Sequence, residues 1–177
     1  LGMVISHSVV GASKDYQDRY FNELPKTFNP REFRPEEWAR TAKMAGMKYM
    51  VFTTKHHSGF CMYDTETTDF KITNTPFARD ATKEIVAAFR KEGIAVGVYF
   101  SPDDFWFMYD KGRMIERKNE EAIPSNNPDL MDYLKVQMRE LMTNYGPIDI
   151  VFIDGIDTKA NEALARICWE VNDDVVV

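Results

Sequence analysis

Residues 127–155, NPDLMDYLKVQMRELMTNYGPIDIVFIDG, decide the fold class. Asn127 is placed to cap a helix that Pro128 opens, because proline's missing N–H is no loss in a first turn. Leu130, Leu134, Met138, Leu141 and Tyr145 then recur at helical spacing, so one stripe of this helix must be buried. Gly146-Pro147 stops it. Directly afterwards, Ile148 to Asp154 is an almost continuous apolar run, the pattern of a strand buried on both faces of a parallel sheet. That run closes on a carboxylate and a glycine, Asp154-Gly155.

The same alternation continues on either side. Upstream, Ile94 to Ser101 reads as a buried strand, and a helix near Arg79 to Glu92 carries Ile85, Val86 and Phe89 before Gly93. Met47 to Thr54 is a further strand, preceded by a helix that starts at Arg34-Pro35-Glu36-Glu37 and ends at Gly46. Gly2 to Ile5 is the expected first strand. Downstream, Thr158 is the expected cap of a helix with Ala160, Ala163, Leu164, Ile167, Cys168 and Val171 on one stripe, and Val175 to Val177 opens another strand. Buried strands alternating with amphipathic helices predict an α/β fold with a parallel sheet, each strand beside the last. A complete (β/α)8 TIM-like barrel takes about 250 residues. This chain supplies about four and a half βα units, so residues 1–177 are expected to be the N-terminal part of a catalytic barrel domain belonging to a longer chain.

Composition narrows the partners. The 177 residues contain 28 acidic and 22 basic side chains, a formal charge of −6. Nucleic acid and anionic membrane surfaces both reward a basic face, so neither is expected as a partner. No apolar run reaches the roughly 18 residues of a membrane span. Cys61 and Cys168 are too few for a disulfide framework. Neither GxGxxG nor GxxxxGK[ST] occurs, which argues against a nucleotide-binding sheet.

In such folds the loops at the carboxyl ends of the strands build the site. Three ends stand out: Thr53-Thr54-Lys55-His56-His57-Ser58-Gly59-Phe60, Tyr99-Phe100-Ser101-Pro102-Asp103-Asp104-Phe105-Trp106, and Phe152-Ile153-Asp154-Gly155. A carboxylate closing a buried strand costs free energy unless something solvates or uses it. It serves equally well as a helix cap or ion-pair partner. His56 and His57 are two of only three histidines, and where a strand curls into a loop both can reach one cavity. Imidazoles with an Asp also suit zinc, although no HExxH spacing is present. Aromatic residues crowd the same loops, including Phe60, Phe105, Trp106 and Tyr109. Rings beside carboxylates and imidazoles suit a sugar, whose C–H faces stack while its hydroxyls take polar partners.

The motifs Glu37-Trp38-Ala39, Lys43-Met44-Ala45-Gly46, Thr54-Lys55-His56-His57-Ser58-Gly59-Phe60, Gly97-Val98-Tyr99-Phe100-Ser101, Asn144-Tyr145-Gly146-Pro147 and Phe152-Ile153-Asp154-Gly155 resemble, in order and spacing, the α-L-fucosidases of glycoside hydrolase family 29. The resemblance covers almost the whole chain. It implies a retaining mechanism on a (β/α)8-like barrel, no cofactor and no metal, and a fucosylated oligosaccharide or glycoconjugate as substrate. Asp154 matches the nucleophile, His56 and His57 match residues that bind fucose hydroxyls, and Tyr99 falls in the segment that gives the pocket a tyrosine. Trp106 is a candidate sugar-stacking ring. At the N-terminus Ser6 aligns with a substrate-binding histidine of the family and His7 with the tryptophan after it, so His7 is the candidate for that role. Ser58 replaces an Asp. The general acid/base is expected beyond Val177, and an extracytoplasmic location follows from the resemblance alone. Two other readings use the same residues: a non-catalytic fucose-binding relative, and a metal-dependent hydrolase built on His56, His57 and Asp154.

Overall fold

A computed structural model describes residues 6–116 and 119–177, so the strand expected at Gly2 to Ile5 lies outside the described residues. In chain order the elements are α1 (Lys14–Asn22), α2 (Pro35–Met44), β1 (Tyr49–Lys55), α3 (Ala81–Lys91), β2 (Ala95–Phe100), α4 (Phe105–Asp110), α5 (Pro128–Asn144), β3 (Ile150–Ile153) and α6 (Thr158–Val171), with short 3-10 turns between them. The three strands form a parallel sheet in the order β1-β2-β3. Thr53 pairs with Tyr99 and Tyr99 with Phe152, which brings the carboxyl ends of all three strands to one edge. Val176 then makes a parallel bridge to Ile150, the start of the further strand expected at Val175 to Val177.

Local chemistry explains the helix ends. Asp80, Asn127 and Asp157 cap α3, α5 and α6 by accepting first-turn backbone N–H groups. The cap of α6 is therefore Asp157 rather than Thr158. Asp157 has the extended backbone a cap needs and accepts from Lys159 and Ala160 at 3.2 and 3.3 Å. Two helices lay unread in the sequence. Ser13 caps α1, which buries Tyr20 and Phe21, and Asp104 caps α4 within the aromatic stretch read as loop.

One face of the sheet is covered. Val96, Val98, Phe100 and Val151 bury against a core that includes Ile85, Val86, Leu134, Met138, Leu141 and Leu164 from the helices. The opposite face carries Tyr49, Val51, Tyr99 and Phe152. Tyr49 is 61% and Phe152 55% exposed, so among the described residues no helix layer covers this side. A doubly wound sheet would bury both faces under helices.

Candidate functional site

The site begins with a buried ion pair. At the end of β1 the Lys55 ammonium donates to Asp104 at 2.8 Å, and both side chains are fully buried. Lys55 also lies 4.4 Å from the centroid of the Phe100 ring. Asp104 caps α4 through the Phe107 N–H, so one carboxylate joins the loop after β1 to the loop after β2. Backbone bonds from Phe105 to the His57 carbonyl and from Trp106 to the Ser58 carbonyl complete the seam. Gly59 makes this approach possible. Its φ is +83°, and a Cβ there would stand 2.2 Å from an Asp104 carboxylate oxygen.

Pinned in this way, His56 and His57 sit side by side with ring centroids 4.3 Å apart. His56 Nδ1 shares a 2.7 Å hydrogen bond with the Ser6 hydroxyl, and its ring stacks on Tyr99 at 5.5 Å. His57 Nδ1 is hydrogen-bonded to Ser101 and lies 3.7 Å from Asp103. Its Nε2 is 3.6 Å from an Asp154 carboxylate oxygen. The same oxygen accepts the Tyr99 hydroxyl. Asp154 follows β3, is held by its N–H to the Phe100 carbonyl, and keeps 45% of its side chain exposed. A carboxylate is thus presented to solvent with one oxygen restrained and the other accessible.

Electrostatics keep the imidazoles neutral. Burial lowers the His56 pKa, opposed by the Asp154 charge. Burial also brings His57 down to about 4, opposed first by Asp103. Burial, and next the hydrogen bond to Asp154, push Tyr99 well above its usual range, so it remains a protonated donor. A histidine whose folded pKa lies below its unfolded value of about 6.5 leaves the unfolded chain binding more protons in the interval between them. Its contribution is complete above pH 6.5 and is lost as pH falls toward about 4. The melting temperature is expected to drop across that window, and His57→Gln should flatten the drop. An unchanged slope in the variant would remove His57 as its cause.

His7 joins the cluster, with its ring 5.0 Å from His57 and 6.4 Å from His56. Trp106 does not: its ring stacks on Phe70 at 4.7 Å and packs with Phe21 and Tyr109. The ring beside the histidines is Phe105, 6.2 Å from His57 and 5.9 Å from His7. Sequence reasoning also missed Ser6 and Ser101 as histidine partners. His56, His57 and Asp154 each offer a ligand atom, all within 4.8 Å of one another, so this trio is the place where a cation would fit. No helix among the described residues is long and apolar enough to cross a membrane.

Comparison with known proteins points to one family. The sequence profile described as alpha-L-fucosidase matches residues 6–176. The chain is 31% identical over 134 residues to alpha-L-fucosidase 1 of Arabidopsis thaliana, covering 74% of this chain and 24% of that protein. Alpha-L-fucosidase isoenzyme 1 from Paenibacillus thiaminolyticus superposes with a TM-score of 0.73 at 40% identity, covering 92% of this chain and 40% of its own. A GH29 alpha-L-fucosidase from Bacteroides thetaiotaomicron, solved as a trapped covalent intermediate, gives a TM-score of 0.77 at 31% identity over 89% of this chain and 37% of its own. The chain spans about a quarter of the length of the Arabidopsis relative.

Proposed function

The chain belongs to the α-L-fucosidase family, and from that premise we propose that it carries the nucleophile side of a retaining site that releases terminal α-linked L-fucose from oligosaccharides or glycoconjugates. The observation that carries this reading is the Asp154 carboxylate, exposed at the carboxyl end of β3 with one oxygen held by Tyr99 and facing His57. The oxygen not held by Tyr99 attacks the anomeric carbon while the bond to the leaving oxygen breaks. A general acid protonates that oxygen, and water then hydrolyses the glycosyl ester and restores the carboxylate. Neutral His56 and His57 donate to or accept from sugar hydroxyls, and His7 lies beside them for the same work. The trapped intermediate of the Bacteroides relative favours covalent catalysis over metal-dependent hydrolysis and over a purely binding role.

We place the acid/base outside residues 1–177. The Bacteroides intermediate was obtained with a Glu-to-Gln mutant, and this chain covers only 37% of that protein. The uncovered sheet face and the sequential strand order support a closed barrel in the whole protein, with Tyr49, Val51 and Phe152 pointing to its interior. The direct test is hydrolysis of an aryl α-L-fucoside by the full-length protein, with and without a chelator. Turnover that survives chelation supports the reading, and absence of turnover overturns it.

The histidine pair gives a second test. His56→Ala and His57→Ala each leave a sugar hydroxyl unpaired in a partly dehydrated pocket, at a cost of about 1–3 kcal/mol. In each folded variant kcat/KM is expected to fall by about 5- to 150-fold, with kcat falling too as bonds that tighten in the transition state are lost. A lower melting temperature with unchanged kcat/KM would make both histidines structural.

A further inference from the structure

We propose that His56, His57 and Asp154 also form a transition-metal site, at which a zinc ion binds in place of the sugar and inhibits turnover competitively. The binding half stands on geometry, and the inhibition half rests on the function proposed above.

Zinc takes imidazole nitrogen and carboxylate oxygen at about 2.0–2.2 Å in a tetrahedron, which sets its ligand atoms about 3.3 Å apart. His57 Nε2 and the Asp154 oxygen, 3.6 Å apart, already meet that spacing. All three candidate atoms lie within 4.8 Å, so closure needs a contraction of roughly 1.5 Å. Because the His57–Asp154 pair already has the spacing, the contraction falls chiefly on His56, whose ring must shift from its place against Ser6 and Tyr99.

The surroundings are arranged as for a metal centre. A ligating histidine is oriented by a hydrogen bond to its other ring nitrogen. Here both rings have one: Ser6 on His56 Nδ1 and Ser101 on His57 Nδ1. Each ring is left with Nε2 as the available ligand atom. Three protein ligands leave a fourth tetrahedral position for water. The exposed ring of His7 lies 5.0 Å from that of His57. Unlike a resident catalytic metal, this ion would occupy the nucleophile and both sugar-binding imidazoles at once. It would therefore exclude substrate.

The test uses full-length protein stripped with a chelator. Zinc chloride is titrated by calorimetry, and fucoside hydrolysis is followed at several zinc concentrations. The expected results are one tight equivalent with a dissociation constant below roughly 100 μM, inhibition relieved by raising substrate, and binding weakened at least about tenfold in the His56→Gln/His57→Gln double variant. Ser101→Ala, which removes only an orienting hydroxyl, should weaken zinc by about tenfold. Full zinc affinity in the double variant, inhibition that substrate does not relieve, or activity that needs the metal would each overturn the proposal. A protein that binds zinc through these histidines but hydrolyses no fucoside would keep the metal site and sink the function instead.

Discussion

Replacing Asp154 with alanine in the full-length protein is expected to lower kcat for an aryl α-L-fucoside at least about a thousandfold, roughly 4 kcal/mol of barrier. The loss is large because the substitution removes the atom that forms the covalent bond. Neighbouring hydrogen bonds cannot stand in for it. The fold should survive. The Asp154 side chain is 45% exposed, outside the apolar core, and the strand is held by backbone bonds that the substitution leaves intact. A melting temperature within a few degrees of the parent would show that chemistry and not folding was lost. Small anions such as azide fit the vacated space and attack the anomeric carbon in place of the carboxylate, so partial rescue by azide is expected. A variant that keeps more than about a tenth of the parent kcat has lost less than 1.4 kcal/mol, too little for a nucleophile.

The largest stability effect is expected at Asp104, which makes no covalent bond in the reaction. Asp104→Ala leaves the Lys55 ammonium fully buried with no carboxylate beside it. Removing one partner of a buried pair costs about 3–5 kcal/mol, and the lost cap on α4 adds about 1 kcal/mol. That is a large share of the roughly 5–15 kcal/mol by which domains are stable. The urea midpoint should therefore shift strongly with an unchanged slope. A double replacement, Lys55→Met with Asp104→Asn, removes both charges and keeps an amide able to cap α4, so it should recover most of the loss. A shift below about 1 kcal/mol for Asp104→Ala would show that water or another anion already satisfies Lys55. Because this pair holds the loop carrying His56 and His57, kcat/KM in the surviving folded fraction should fall as well.

The strands and most helices were legible because their signals are local. The stripe of α5 and the apolar run before Asp154 are read within a few residues of each other, and the structure forms both elements, although β3 is buried on one face only: Val151 packs in the core and Phe152 is 55% exposed. The meeting of His56, His57 and Asp154 was legible from position alone, since all three close parallel strands whose carboxyl ends must share an edge. What was not legible depends on partners far away in sequence. Lys55 and Asp104 are 49 residues apart, Ser6 and His56 are 50 apart, and nothing near any of them announces its partner. Trp106 shows a different limit. Adjacent helical residues point about 100° apart, so once Asp104 starts α4, Phe105 turns toward His57 and Trp106 turns toward Phe70. Read as loop, that stretch gave no reason to separate the two rings.

Mass spectrometry of the full-length protein after reaction with a 2-fluoro-fucosyl fluoride tests the central claim most directly. A fluorine at that position destabilises the oxocarbenium-like transition states, and the activated leaving group lets the first step outrun the second, so the glycosyl-enzyme accumulates. The expected result is a mass increase of one fluorofucosyl group per chain, mapped by proteolysis to Asp154 within the peptide that carries Phe152-Ile153-Asp154-Gly155. A label on any other residue, or hydrolysis of fucosides by a protein that never takes up the label, would contradict the assignment of Asp154 as nucleophile.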